Sequence, residues 1–164
     1  MISKDIEGNN YEVTANDLSW RPSVYGIVIF KNKILLVKES GKFHLPGGGI
    51  DIGESPETAL LREVKEETGC IVQRPKLINL SSTFFSYRII EKHPKLKHVH
   101  SLLLYYSCDY VRADQNGIHL DEYEKAVGLI SEWVEVDKLD KIIVGTTVDW
   151  RPVIRQFIND RQKF

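Results

Sequence analysis

Cysteine is nearly missing from this chain: there are two, Cys70 and Cys108, far apart and with no Cys-x-x-Cys. That excludes a disulfide framework and a thiolate metal site, and leaves two buried free thiols that suit a reducing compartment. Long apolar runs are lacking too, since none approaches the roughly 20 residues a membrane helix needs. The N-terminus, Met1-Ile2-Ser3-Lys4-Asp5, has no apolar stretch of the kind a secretory signal carries. A soluble, cytoplasmic protein is therefore expected. Nor does charge of one sign dominate: 22 basic and 23 acidic residues leave a net charge of -1. Nothing electrostatic then draws the chain to a membrane or to a stable nucleic-acid partner, so a small molecule is the expected ligand, and homodimerisation stays open. Repeats, low-complexity tracts and interdomain linkers are absent. The 164 residues suit one domain, with residues 1–19 as a polar edge extension.

What is present is an ordered series of apolar segments. In the extension, Gly8-Asn9-Asn10 predicts a hairpin joining Lys4–Glu7 to Tyr11–Thr14. Val24–Phe30 is apolar on both faces, and Lys31-Asn32-Lys33 turns it into Ile34–Lys38, a hairpin of central strands. Phe43–Leu45, Ile71–Gln73 and Lys76–Phe85 read as extended, and Ser86–Lys97, with Arg88, Lys92, Lys95, Lys97 and the breaker Pro94, reads mostly as a basic loop. Val99–Val111 is a further central strand, ended by the turn signal Asp114-Gln115-Asn116-Gly117. Beyond the acidic passage Asp121–Glu124 come a strand over Ile130–Val136, a short helix capped by Asp137 and running through Ile142, and a terminal helix over Pro152–Arg161. This order suggests an α/β (α+β) architecture, a mixed β-sheet sandwiched between α-helices.

The chemistry concentrates between Leu45 and Cys70, where a glycine loop, Gly47-Gly48-Gly49, feeds a short acidic helix. Ser55 suits the N-cap, Pro56 the first helical position and Gly69 the left-handed stop, so the helix spans Pro56 to Thr68. At 100° per residue Leu60, Leu61, Val64 and Thr68 share a packing face, and Glu63, Glu66 and Glu67 gather on the adjoining one. Such neighbours repel, at a cost on the order of 4 kcal/mol for unit charges about 4 Å apart at an effective dielectric near 20. A bound hard cation, Mg2+ or Mn2+, turns that liability into a site, because it takes oxygen ligands and keeps room for water and phosphates. Ala59, also on the carboxylate face, is small enough to leave space above the metal.

Gly48, five residues, Glu54, seven residues and then Arg62-Glu63-Val64-Lys65-Glu66-Glu67-Thr68-Gly69 closely resemble the Nudix box. The one departure is Cys70, where the pattern has an aliphatic residue, and a small apolar thiol packs similarly. The resemblance covers only the central part of the chain. It implies the Nudix fold, a curved mixed sheet between helices, and metal-dependent hydrolysis of a pyrophosphate bond in a nucleoside diphosphate linked to another moiety. It implies Glu63, Glu66 and Glu67 as metal ligands together with the carbonyl of Gly47, and an Arg62–Glu54 pair that pins the loop to the helix, with Gly48 supporting the site. The general base lies in the box, as Glu67 or Glu63, or on a separate loop. Acidic residues on a short helix are usually a solvated face, but a complete box outweighs that reading. A non-catalytic nucleotide sensor on the same fold is the alternative, and such modules typically erode the box glutamates, all of which are present here.

Outside the box the signals are thinner. Arg21, Phe43, His44, Phe85 and Tyr87 are candidates to contact phosphate or stack on a base, each against an ordinary core or surface role. Within Asp121–Glu124, Glu122 and Glu124 are candidates for an out-of-box carboxylate, against the reading of an exposed charged loop. His98 and His100 alternate onto one strand face without a carboxylate partner, a weak metal signature.

Overall fold

A computed structural model describes residues 1–5, 8–89, 93–145 and 148–161, with the side chains of 87–96 and 115 excepted. The elements in chain order are β1 (Ile2–Lys4), β2 (Asn10–Glu12), β3 (Leu18–Trp20), β4 (Ser23–Phe30), β5 (Lys33–Glu39), β6 (Lys42–His44), β7 (Gly47–Gly49), α1 (Pro56–Thr68), β8 (Cys70–Ile89), β9 (His93–Ala113), α2 (Glu122–Ala126), β10 (Ile130–Glu135) and α3 (Arg151–Arg161). They build one mixed sheet in the order β10-β5-β4-β9-β8-β1-β2, with β3 on β9, β6 on β5 and β7 on β4. β4 runs parallel to β9 and antiparallel to β5, so the strand read as apolar on both faces is indeed central. Among the described residues, no helix is long and apolar enough to cross a membrane.

Alternation along β4 and β9 divides the core in two. Val24, Val28, Tyr106 and Cys108 pack with Ala59, Leu60 and Val64 of α1, while Ile27, Leu103 and Tyr105 pack with Trp150 and Ile154 at α3. This is the expected sheet between helices. Gly26 lets α1 lie close, because a Cβ there would come 3.0 Å from Val64 Cγ2. Leu60 and Val64 are fully buried and contribute about 2 kcal/mol each.

Several expectations need correction. Leu61 does not anchor the helix: it is 37% exposed, and Ala59 is fully buried in its place. The inward side of α1 carries two adjacent rows, Leu60-Val64-Thr68 and Ala59-Glu63-Glu67, so Ala59 shares the carboxylate row but closes the core instead of leaving space above a metal. Ser86–Lys97 is not mainly loop. β8 and β9 stay paired out to Ile89↔His93, because backbone hydrogen bonds sustain a ladder whose composition gives no apolar alternation. The acidic passage forms α2, and the helical turn over Val136–Lys141 is 3-10 and begins after Glu135, with Asp137 inside it instead of capping it. The N-terminal hairpin forms with Ile2–Lys4 opposite Asn10–Glu12, and Glu7 lies outside the described residues.

Candidate active site

The site grows from β7, which pairs with β4 through Val24↔Gly48 and Tyr25↔Gly47 and so lays the glycines beside the N-terminal half of the central strand. Helix α1 follows after the 50–55 turn. Its start is fixed by the Ser55 hydroxyl, which accepts the Thr58 N–H at 3.1 Å, and its end by Gly69 at φ 65°. The row Ala59-Glu63-Glu67 then faces the glycine strand. A Cβ at Gly48 would lie 2.6 Å from Glu63 Oε1, so the missing side chain is the cradle of that carboxylate. Glu67, only 7% exposed, accepts the Gly47 N–H on Oε2 at 2.8 Å.

Oxygens of Glu63, Glu67 and Glu124 all lie within 4.8 Å of one another. Glu124 arrives on α2, where it closes a capping box: its Oε2 accepts the Asp121 N–H at 2.7 Å and its N–H donates to Asp121 Oδ1 at 2.7 Å. Glu66 sits at the flank, its Oε2 3.3 Å from Arg62 Nη1. Arg62 is the hub of the loop. It makes a bidentate pair with Glu54 at 3.0 and 2.8 Å, reaches Glu63 Oε1 at 2.9 Å and donates to the Gly49 carbonyl at 3.4 Å. Asp51 stands 4.0 Å from the same guanidinium.

Burial pushes Glu67 well above the ordinary glutamate range, and the charges of Glu63, Glu124 and Asp121 push it further while the Gly47 N–H pulls back. Glu63 and Glu124 are also raised, each chiefly by burial, with Arg62 opposing the rise at Glu63. Glu54 moves the other way, lowered by its hydrogen bonds to Arg62. A group raised on folding binds protons that the unfolded chain has released, so its contribution to stability falls as pH climbs from the ordinary value of 4.5 through the raised one. Burial lowers His44, which works oppositely and stabilises with rising pH up to its ordinary 6.5. The comparison that isolates the site is therefore wild type against Glu67→Gln without metal. The melting temperature of wild type relative to the variant is expected to fall as pH climbs above the ordinary glutamate value of 4.5, and a constant difference would count against a strained carboxylate.

The other sequence candidates are placed as follows. Arg21 stands over the glycine strand, where a Cβ at Gly49 would meet its Nε at 3.0 Å. Phe43 is a core residue, 8% exposed among Leu36, Leu45 and Trp150, because its strand, β6, turns that side chain inward. His44 is half-buried against Gly145, with Glu39 and Lys42 as its charged neighbours. Phe85 is half-buried opposite Lys4 of the N-terminal hairpin, and the Tyr87 side chain lies outside the described residues. His98 bonds Ser86 through Nδ1 at 2.7 Å, and His100 packs between Trp20 and Phe84. Sequence reasoning missed Tyr25, whose hydroxyl feels Arg21, Glu67 and Glu63 together and whose ring stacks on Tyr105 at 5.8 Å. A tyrosine beside Gly26 in a mostly aliphatic strand was its only signal.

A model of the NUDIX domain matches residues 20–157. The chain is 44% identical over 66 residues to an ADP-ribose pyrophosphatase of Methanocaldococcus jannaschii, covering 37% of this chain and 39% of that protein. It is 44% identical over 62 residues to an RNA pyrophosphohydrolase of Campylobacter jejuni subsp. doylei, covering 33% and 40% respectively. The chain thus spans about two fifths of the length of the curated relatives it matches. In three dimensions it resembles a NUDIX hydrolase from Nitrosomonas europaea with a TM-score of 0.59 at 22% identity, over 88% of this chain and 90% of that one.

Proposed function

The chain belongs to the Nudix family, and from that premise we propose that it hydrolyses a pyrophosphate bond in a nucleoside diphosphate linked to another moiety, by attack of water on phosphorus with Mg2+ or Mn2+ bound. The observation that carries this is the set of Glu63, Glu67 and Glu124 oxygens within 4.8 Å under a side-chain-free strand. An all-carboxylate donor set in a cradle that a Cβ would fill fits a hard divalent cation and little else. Such a cation, when bound, neutralises phosphoryl charge and makes water more acidic.

The chain's own residues supply the rest. Glu63, Glu67 and Glu124 hold the ion, Glu66 joins them from the flank, and the carbonyl of Gly47 completes the set. Glu67 is oriented by the Gly47 N–H on its Oε2, and as a buried carboxylate it is basic enough to accept the proton of the attacking water. Arg21 over Gly49 offers a guanidinium to the phosphates of the substrate. Arg62 and Glu54 keep the 50–55 turn fixed against α1.

The relatives' names direct the test. Purified protein is offered ADP-ribose, 5′-triphosphorylated RNA, nucleoside triphosphates, nucleotide sugars and dinucleoside polyphosphates with Mg2+ or Mn2+, in oxygen-18 water. Metal-dependent cleavage of at least one class, with label in one product, is expected. No cleavage of any, together with no metal binding by titration, overturns the reading.

A further inference from the structure

Helix α2 delivers Glu124 on little more than a single turn. It spans five residues, buries none of them, and is followed by Gly128 at φ 65° in open space. A helix this short has no stability of its own. Its capping box joins Asp121 to Glu124 and so fixes the shape of the segment, but not its place relative to α1. Meanwhile Glu124 faces Glu63 and Glu67, and like charges at that range repel by several kcal/mol in a partly buried setting. That repulsion favours tilting α2 away from α1.

The segment is held at both ends, by the His119 N–H donating to the Glu66 carbonyl at 3.0 Å and by Ile130 paired with Lys38, and Tyr123 adds a contact from the helix itself. The Tyr123 hydroxyl donates to Glu39 Oε1 at 2.6 Å, joining α2 to the end of β5 across 84 positions of sequence. The Tyr123 ring is 49% exposed, so packing does not account for its placement and the hydroxyl bond does. Successive helix positions lie 100° apart, so Tyr123 can reach toward β5 while Glu124 turns to α1.

We propose that Tyr123, hydrogen-bonded to Glu39, is a positioning residue that keeps Glu124 within the carboxylate set. The inference rests on the reading of Glu63, Glu67 and Glu124 as the metal-holding group. Tyr123 touches no reacting atom; it acts through its neighbour.

Calorimetric titration with Mn2+ on the full chain tests this, without any substrate, in wild type, Tyr123→Phe, Glu39→Gln, Glu124→Gln and Tyr123→Phe/Glu124→Gln. Tyr123→Phe is expected to weaken Mn2+ binding about 10-fold, the range seen when a supporting partner of a metal ligand is lost. Glu39→Gln keeps an oxygen to accept the hydroxyl, so it should stay within about threefold of wild type. In the Glu124→Gln background the Tyr123→Phe change should add nothing, because the residue it positions is already disabled. Wild-type affinity in Tyr123→Phe, with Glu124→Gln weakened, overturns the tether alone. Unchanged affinity in Glu124→Gln overturns the metal role of Glu124 and the tether with it. Thermal melts of each variant separate either result from loss of folding.

Discussion

Replacing Glu67 by Gln is expected to lower turnover at least about 10³-fold and yet to raise the melting temperature of the metal-free protein. The two effects share one cause. Glu67 is carried into the protein on the same helical row as Ala59, and its carboxylate lies beside those of Glu63 and Glu124. Burial and like charge both disfavour the ionised form, which is the form a metal ligand and general base must adopt. Glutamine has the same shape, and its amide oxygen still accepts the Gly47 N–H, so the fold keeps its hydrogen bond and loses the repulsion. A relief of about 1 kcal/mol would appear as roughly 3 °C in a chain of this size. Added Mg2+ should then reverse the order, because the wild type gains from a ligand bound only by the folded state and the variant gains less. Scanning calorimetry with and without Mg2+, alongside turnover, decides the matter. A variant that melts below wild type without metal, or that retains turnover, would show that Glu67 is an ordinary buried acid.

Legibility in the sequence followed the range of the interactions. The span of α1 from Pro56 to Thr68 could be read to the residue because Ser55, Pro56 and Gly69 act within one turn of the chain. β4 and β5 could be read because two-sided burial leaves a continuous apolar run on each side of a two-residue turn. The Arg62–Glu54 pair was reached only by resemblance, though geometry permitted it. Three things were beyond local reach. Which flank of the Leu60-Val64 row points inward depends on how α1 crosses the sheet, so Leu61 and Ala59 were given each other's environment. Phe43 is followed by a glycine loop and looked available to a ligand, but β6 pairs with β5 and drives the ring into the core. Glu124 was one of two acidic candidates on a supposed loop. The Asp121-x-x-Glu124 spacing does signal a capping box and hence a helix start, but no local pattern tells that the helix brings Glu124 to α1 across some sixty positions.

Alanine at Gly47 and alanine at Gly48 are expected to fail in opposite ways, although the residues are adjacent and gain the same methyl group. At Gly47 the backbone has φ 145°, and a Cβ would stand 2.1 Å from the Val24 carbonyl oxygen and 2.9 Å from Tyr25 Cα. These are backbone atoms of the central strand, so relief requires β7 to part from β4. Gly47→Ala should lose about 3 kcal/mol or more of stability, combining a glycine-only conformation with a hard clash, and its melting point should drop by roughly 10 °C. At Gly48 the neighbour is the Glu63 carboxylate, 2.6 to 2.9 Å from the added carbon. That is the end of a flexible side chain, which can swing aside and leave the backbone in place. Gly48→Ala should therefore melt within about 1 kcal/mol of wild type while binding Mn2+ on the order of 10-fold or more weakly, because Glu63 has been turned out of the carboxylate set. Thermal melts and Mn2+ titrations on both variants separate the cases. If Gly48→Ala kept wild-type affinity, Glu63 would not need the cradle and would lose its place among the metal-holding residues; if Gly47→Ala folded as stably as wild type, the close seating of β7 on β4 would not be what holds the loop.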